Sequence, residues 1–173
     1  MESLIPLRAL YLHARLTGQP ASLDAAERAS ELFLKRRLFK RQSDGSLIRS
    51  DFIKLHYPCY WHYDILFGLK VMTETGRVTD ERCGEALSLL ESKQLPDGGF
   101  PANGKYYVTT PGGKGGRSLL DWRGTSGTRT NEFVTVDALF VLKEAGRLKV
   151  EPGQRLAPLA AGAPPRRPWK ESH

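Results

Sequence analysis

The chain is predicted to be all-α, with its helices in two layers, an outer and an inner one. Three observations carry this. Helices with a single apolar stripe alternate with helices that are apolar almost all round. Glycine-containing turns separate them, and the pair recurs along the chain. Leu4 to Leu16 reads as a first helix, ended by Gly18 and Pro20. Leu23 to Phe39 reads as a second, capped by Ser22 or Asp24, with Ala25, Ala29, Leu32 and Phe33 on one stripe. The third, Cys59 to Thr75, has Pro58 in its first turn, is apolar on both faces, and closes at Gly76. Asp80 caps a fourth, Glu81 to Lys93, striped by Cys83, Ala86, Leu87 and Leu90. After a loop from Pro101 to Thr130 comes the fifth, Glu132 to Ala145, capped by Asn131 and again apolar nearly all round.

The 173 residues suggest one domain over 1–149, followed by a Pro-, Ala- and Arg-rich tail over 150–173 that reads as disordered. No run of about 18 apolar residues is present, so no membrane span is expected. Two cysteines, Cys59 and Cys83, make no disulfide framework, and with no secretory leader legible the expectation is a cytoplasmic protein. The net charge of +7 sits partly in Lys35, Arg36, Arg37, Lys40 and Arg41 and partly in Arg166 and Arg167. It reads as a solvated face and a soluble tail, or as a site for an anionic partner. No nucleic-acid-binding motif accompanies it, so nucleic acid is not an expected partner.

Self-comparison supports the repeat. Leu38, Gln42, Gly45 and Leu47 line up with Leu90, Gln94, Gly98 and Phe100. Asp64-Ile-Leu-Phe-Gly-Leu-Lys lines up with Asp137-Ala-Leu-Phe-Val-Leu-Lys, and each copy closes in Gly-Arg, at Gly76-Arg77 and Gly146-Arg147. One unit is thus outer helix, Gln–Gly turn, inner helix. On these residues, from about Ala25 to Arg147, the chain resembles the prenyltransferase and squalene-cyclase repeat family, whose members form α/α toroids. That resemblance implies a partial α/α toroid around a central cleft for an apolar, isoprenoid-type ligand. The family's Asp-x-Asp-Asp and Asp-Asp-x-x-Asp acid runs are missing here. A ring of about five helices would stay open, which implies self-association or a second polypeptide covering its apolar side.

Chemistry-bearing residues concentrate in one run, His56-Tyr57-Pro58-Cys59-Tyr60-Trp61-His62-Tyr63-Asp64. A buried carboxylate beside an imidazole can orient or charge it, which makes His62 and Asp64 a candidate acid–base pair. Asp137 joins them through the repeat. The plainer reading is that Asp64 caps the inner helix and His62 is a satisfied core residue. His56, Tyr60, Trp61 and Tyr63, with Trp122, Asn131 and Glu132 beside the long loop, are candidate ligand-binding residues. Cys59 and His62 have i, i+3 spacing, but two ligands do not make a metal site, and none is expected. Pro111 to Arg117 is glycine-rich without the phosphate-loop pattern, so no cofactor is expected either. Three function classes follow: a toroid-type binder or enzyme for an apolar small molecule, a non-catalytic scaffold or interaction module, and a carbohydrate-active α/α barrel.

Overall fold

The computed structural model describes residues 3–109 and 120–148. The glycine-rich run Pro111 to Arg117 and the tail lie outside the described residues. Five α-helices carry the fold: α1 (Leu4–Thr17), α2 (Pro20–Leu34), α3 (Ile65–Glu74), α4 (Gly84–Glu91) and α5 (Glu132–Glu144). Short 3₁₀ turns occupy Ser50–Ile53 and Glu81–Cys83. Among the described residues there is no sheet, only isolated bridges at Lys40–Leu47, His56–Gly104 and Pro101–Thr130.

Helix α3 is the shared partner: α1, α4 and α5 each pack on it, while α2 packs on α1. Its Ile65, Leu66, Gly68, Leu69, Val71 and Met72 are all buried, as expected for a helix apolar on every side. Helix α5 is not buried all round. Val134, Ala138, Val141 and Leu142 face the core, whereas Val136 and Phe140 are 66% and 39% exposed. On α1, Ile5, Leu12 and Leu16 are likewise exposed. The helices flanking α3 therefore present apolar surface that no described element covers.

Several boundaries differ from those expected, each for a local reason. Pro20 does not end α1 but opens α2 as its first residue, where its missing N–H costs nothing. Neither Ser22 nor Asp24 caps α2; the cap is Gln19 with no side-chain bond, and the Ser22 hydroxyl pairs with His13 Nδ1 at 2.9 Å. Helix α2 stops at Leu34 because Arg37 and Leu38 adopt left-handed φ of 44° and 71°, with Leu38 N–H donating back to Phe33 O. Helix α3 begins at Ile65, not Cys59. Pro58 lies outside it, after a cis Tyr57–Pro58 bond, and Tyr60 at φ 50° is incompatible with a continuing right-handed helix. Asn131 caps α5 as expected, but Asp80 caps the 3₁₀ turn Glu81–Cys83, and the fourth α-helix begins only at Gly84, after Cys83, and ends at Glu91.

The two Gly-Arg closures share one geometry. Gly76 and Gly146 take φ of 71° and 67°, and Arg77 N–H and Arg147 N–H donate back to Met72 O and Leu142 O at 2.7 and 2.8 Å. Each arginine then reaches back to the preceding α-helix. Arg77 meets Glu27 on α2 at 3.1 Å, and Arg147 meets Glu91 on α4 at 3.0 Å. Arg82 similarly grips Glu31 of α2 and Asp80, and its guanidinium holds the Asp80 carboxyl down at about 2. The Gln94–Gly98 turn closes by Gln94 Nε2 donating to Gly98 O at 3.0 Å. Phe100 is fully buried, but its counterpart Leu47 is 36% exposed, so the first copy of that turn is looser.

One close approach fixes how α3 meets the turn after α2. Tyr63 is buried between Phe33 and Phe52, and its hydroxyl donates to Leu38 O at 2.7 Å, satisfying the carbonyl of a residue in left-handed backbone. A Cβ on Gly68 would stand 2.4 Å from that hydroxyl oxygen. Tyr63→Phe is expected to lose about 1–2 kcal/mol, from the orphaned carbonyl. Gly68→Ala is expected to lose more, and the two losses should be sub-additive, since removing the hydroxyl relieves the clash. Urea unfolding of the three variants checks this; strictly additive losses would contradict the packing.

Candidate functional site

The run from Leu55 to Asp64 is held from outside. Asn103 Oδ1 accepts from Leu55 N–H at 3.0 Å, and Leu55 O accepts from Asn103 N–H and Gly104 N–H at 2.7 and 3.3 Å. This pairs His56 with Gly104, and a Cβ on Gly104 would lie 2.6 Å from His56 Nε2, so only glycine allows the approach. The chain then turns through Pro58 to Tyr60, with His62 N–H donating to Cys59 O at 2.8 Å.

Asp64 closes the loop. It is 0% exposed, and both oxygens are occupied. Oδ1 accepts from Phe67 N–H at 2.8 Å, capping α3. Oδ2 accepts from His56 N–H at 2.8 Å, lies 3.2 Å from His56 Nδ1, and lies 3.4 Å from Cys59 Sγ. An ionised carboxylate only accepts, which assigns the His56 proton to Nδ1. Burial first, then the neighbouring Asp64 carboxylate, pushes the Cys59 thiol well up, so it stays protonated and is neither a nucleophile nor a ready metal ligand.

The pairing therefore differs from the one expected: Asp64 takes His56, not His62. In the turn, His62 swings away and stacks on Tyr106 with centroids 3.5 Å apart, and on Trp61 at 5.2 Å. Nor does Asp137 occupy the position equivalent to Asp64. It sits in the middle of α5, in an ion pair with Lys70 of α3 at 2.6 Å. The residue that matches Asp64 by role is Asn131, whose Oδ1 accepts from Phe133 and Val134 N–H while its Nδ2 donates to Trp122 O.

Two clefts result, and His62 and Asp137 do not share one. The first, of about 290 Å³, lies between α1, α3 and α5; Ile5, Tyr57, Tyr60, Phe67, Lys70 and Asp137 are among its walls. Arg8 also lines it and is paired with Glu74 at 2.9 Å. Tyr60 has a buried hydroxyl with no partner among the described residues. The second, of about 340 Å³, is lined by Arg49, Asp51, Phe52, Trp61, His62 and Tyr106, with Tyr63. Tyr63 is itself nearly buried and its hydroxyl is committed to Leu38. Trp122 packs against Tyr57 and Phe133 instead of opening onto either cleft, and Glu132 pairs with Arg123 at 2.8 Å. The described part of the long loop thus anchors the start of α5 through Trp122 and Arg123 and walls the second cleft with Tyr106.

Arg8, Phe67, Lys70, Arg49 and Tyr106 were not singled out in the sequence. Lys70 carried a signal, since its spacing from Asp64 recurs in the repeat. Tyr106 carried none, because only the Leu55–Asn103 pairing brings it beside His56 and His62. Among the described residues, no three His, Cys, Asp or Glu side chains converge as a metal site. No family model, curated protein or solved structure matches this chain.

Asp64→Asn keeps the shape but leaves a single acceptor oxygen where two served four donors. It is expected to lose about 2–3 kcal/mol of stability, with His56→Ala in the Asp64→Asn background adding little further loss. Chemical denaturation of both variants checks this; a fully stable Asp64→Asn would mean that the carboxylate is not structural.

Proposed function

We propose that this chain is a toroid-repeat-type binding protein that takes a small, largely apolar ligand of isoprenoid character in the cleft between α1, α3 and α5. The observation that carries the reading is the make-up of that cleft. Aromatic and aliphatic walls from Ile5, Tyr57, Tyr60 and Phe67 stand beside the cations Arg8 and Lys70 and the carboxylate of Asp137. A few polar groups among apolar walls is the usual composition of a small-molecule site. Two further features support it. Helices α1, α3 and α5 are neighbours through α3, with α2 and α4 packed on α1 and α3, as in an arc of an inner and an outer layer. The two hairpins also close by the same Gly-Arg geometry.

In this reading Asp64 is a positioning residue. It is inaccessible and fully hydrogen-bonded, and it holds His56 and the start of α3 in place. Asp137 and Lys70 face the ligand, and an anionic head group would compete with Asp137 for Lys70. His62 belongs to the other cleft and takes no part.

A thermal-shift screen with a prenyl pyrophosphate, a neutral terpene and an oligosaccharide tests this. The two isoprenoids are expected to raise the Tm and the oligosaccharide not. Phe67→Ala should abolish both shifts, and Lys70→Ala only that of the pyrophosphate. No shift with either isoprenoid, or shifts indifferent to Phe67, would overturn the reading. A second reading, a helical interaction module, is favoured by the exposed Leu12, Leu16, Val136 and Phe140 on the helices flanking α3. A concentration-independent monomer by light scattering would remove its self-associating form.

A further inference from the structure

The second cleft carries a feature that the proposed ligand does not use. Four rings lie face to face in a column, His56, Tyr106, His62 and Trp61, with successive centroids 4.7, 3.5 and 5.2 Å apart and interplanar angles of 21°, 13° and 30°. The inner end is fixed: His56 is buried and hydrogen-bonded to Asp64. The outer end is Trp61, 71% exposed. Tyr60 takes a left-handed φ of 50°, unusual for an aromatic residue, and this turn places Tyr60 at one cleft and Trp61 at the other. A large, rigid π face is thus held out at the surface by a buried anchor, with a cleft of about 340 Å³ beside it.

The rest of that cleft narrows the ligand. Arg49 is 67% exposed and, among the described residues, its one ion pair is with Asp51, at 3.7 Å, while Asp51 is already bound by Lys54 at 2.9 Å. Arg49 is therefore a cation with donors to spare. Phe52 and Tyr63 add apolar walls. A sugar stacked on a tryptophan needs several polar side chains to read its hydroxyls, and the one carboxylate here is committed. A nucleobase needs only a face to stack on, and its phosphate only a cation.

We infer that Trp61, stacked on His62, which stacks in turn on Tyr106, and flanked by Arg49, is a binding site for a nucleobase that carries a phosphate. The base adds a further ring to the column on Trp61, and Arg49 takes the phosphate. The same chemistry is offered by a free nucleotide and by single-stranded nucleic acid. Trp61, His62, Tyr106 and Arg49 line the second cleft and not the α1–α3–α5 cleft, which the column meets only through the buried His56, so this inference is tested apart from the isoprenoid reading.

The test is a titration of the full chain with adenosine, AMP, a short oligothymidylate and an oligosaccharide, read by tryptophan fluorescence and by calorimetry. Binding of AMP or of the oligonucleotide is expected, with the stronger of the two naming the source. Trp61→Ala should weaken it about tenfold or more, and Trp61→Phe should largely preserve it. Arg49→Ala should weaken AMP and the oligonucleotide but leave adenosine unchanged. Trp61 is exposed, so its variants should keep the wild-type circular dichroism and Tm. Failure of all three nucleobase ligands at millimolar concentration, binding indifferent to Trp61, or an oligosaccharide binding with the same dependence on Trp61 would each overturn the inference.

Discussion

A single buried carboxylate organises this molecule. Asp64 takes donors from the first turn of its own helix, from the backbone and ring of His56, and from the Cys59 thiol. A buried charge is costly unless its oxygens are satisfied, and here they are, by groups eight, five and three residues away in sequence. The consequence is geometric. The segment before α3 folds back over its start, which sends Tyr57 and Tyr60 toward α1 and α5 and sends Trp61 and His62 toward Arg49 and Tyr106. Both clefts are products of one cap.

The helices are held together by different forces from the cap. Leu34, Ile65, Leu69, Met72, Leu90 and Val141 are fully buried, and burial of side chains like these is the main source of stability. The ion pairs Arg77–Glu27 and Arg147–Glu91, which tie the ends of α3 and α5 to α2 and α4, are partly exposed and each contributes little. Their regularity is what matters. Each follows a glycine in left-handed backbone at the end of α3 or α5, so the glycine sets where the arginine emerges and which helix it meets.

What could be read in the sequence follows from how local each feature is. Asp80 and Asn131 were legible as caps, and Gly18, Gly76 and Gly146 as helix ends, because each bonds within a few residues. The all-round burial of α3 was legible from its composition. The His56–Asp64 pair was not, because it depends on Asn103 and Gly104 drawing Leu55 and His56 into place from far along the chain. The alignment of Asp64 with Asp137 failed for a related reason. Similar letters run through α3 and α5, but a helix is placed by its cap, and the caps are Asp64 and Asn131. The exposed side of α5 was hidden by an apolar composition that promised burial where, among the described residues, no neighbour stands.

Amide hydrogen exchange at His56 and Phe67, the two backbone donors to Asp64, tests the role of that carboxylate most directly. If Asp64 pins the fold, both amides exchange only when the whole domain unfolds, as slowly as Leu69 and Val71 in the core of α3, and both speed up together in Asp64→Asn. If instead His56 exchanges orders of magnitude faster than Leu69 while Phe67 stays protected, the segment opens independently of the helix. Asp64 would then be an ordinary helix cap, and neither cleft would owe its shape to it.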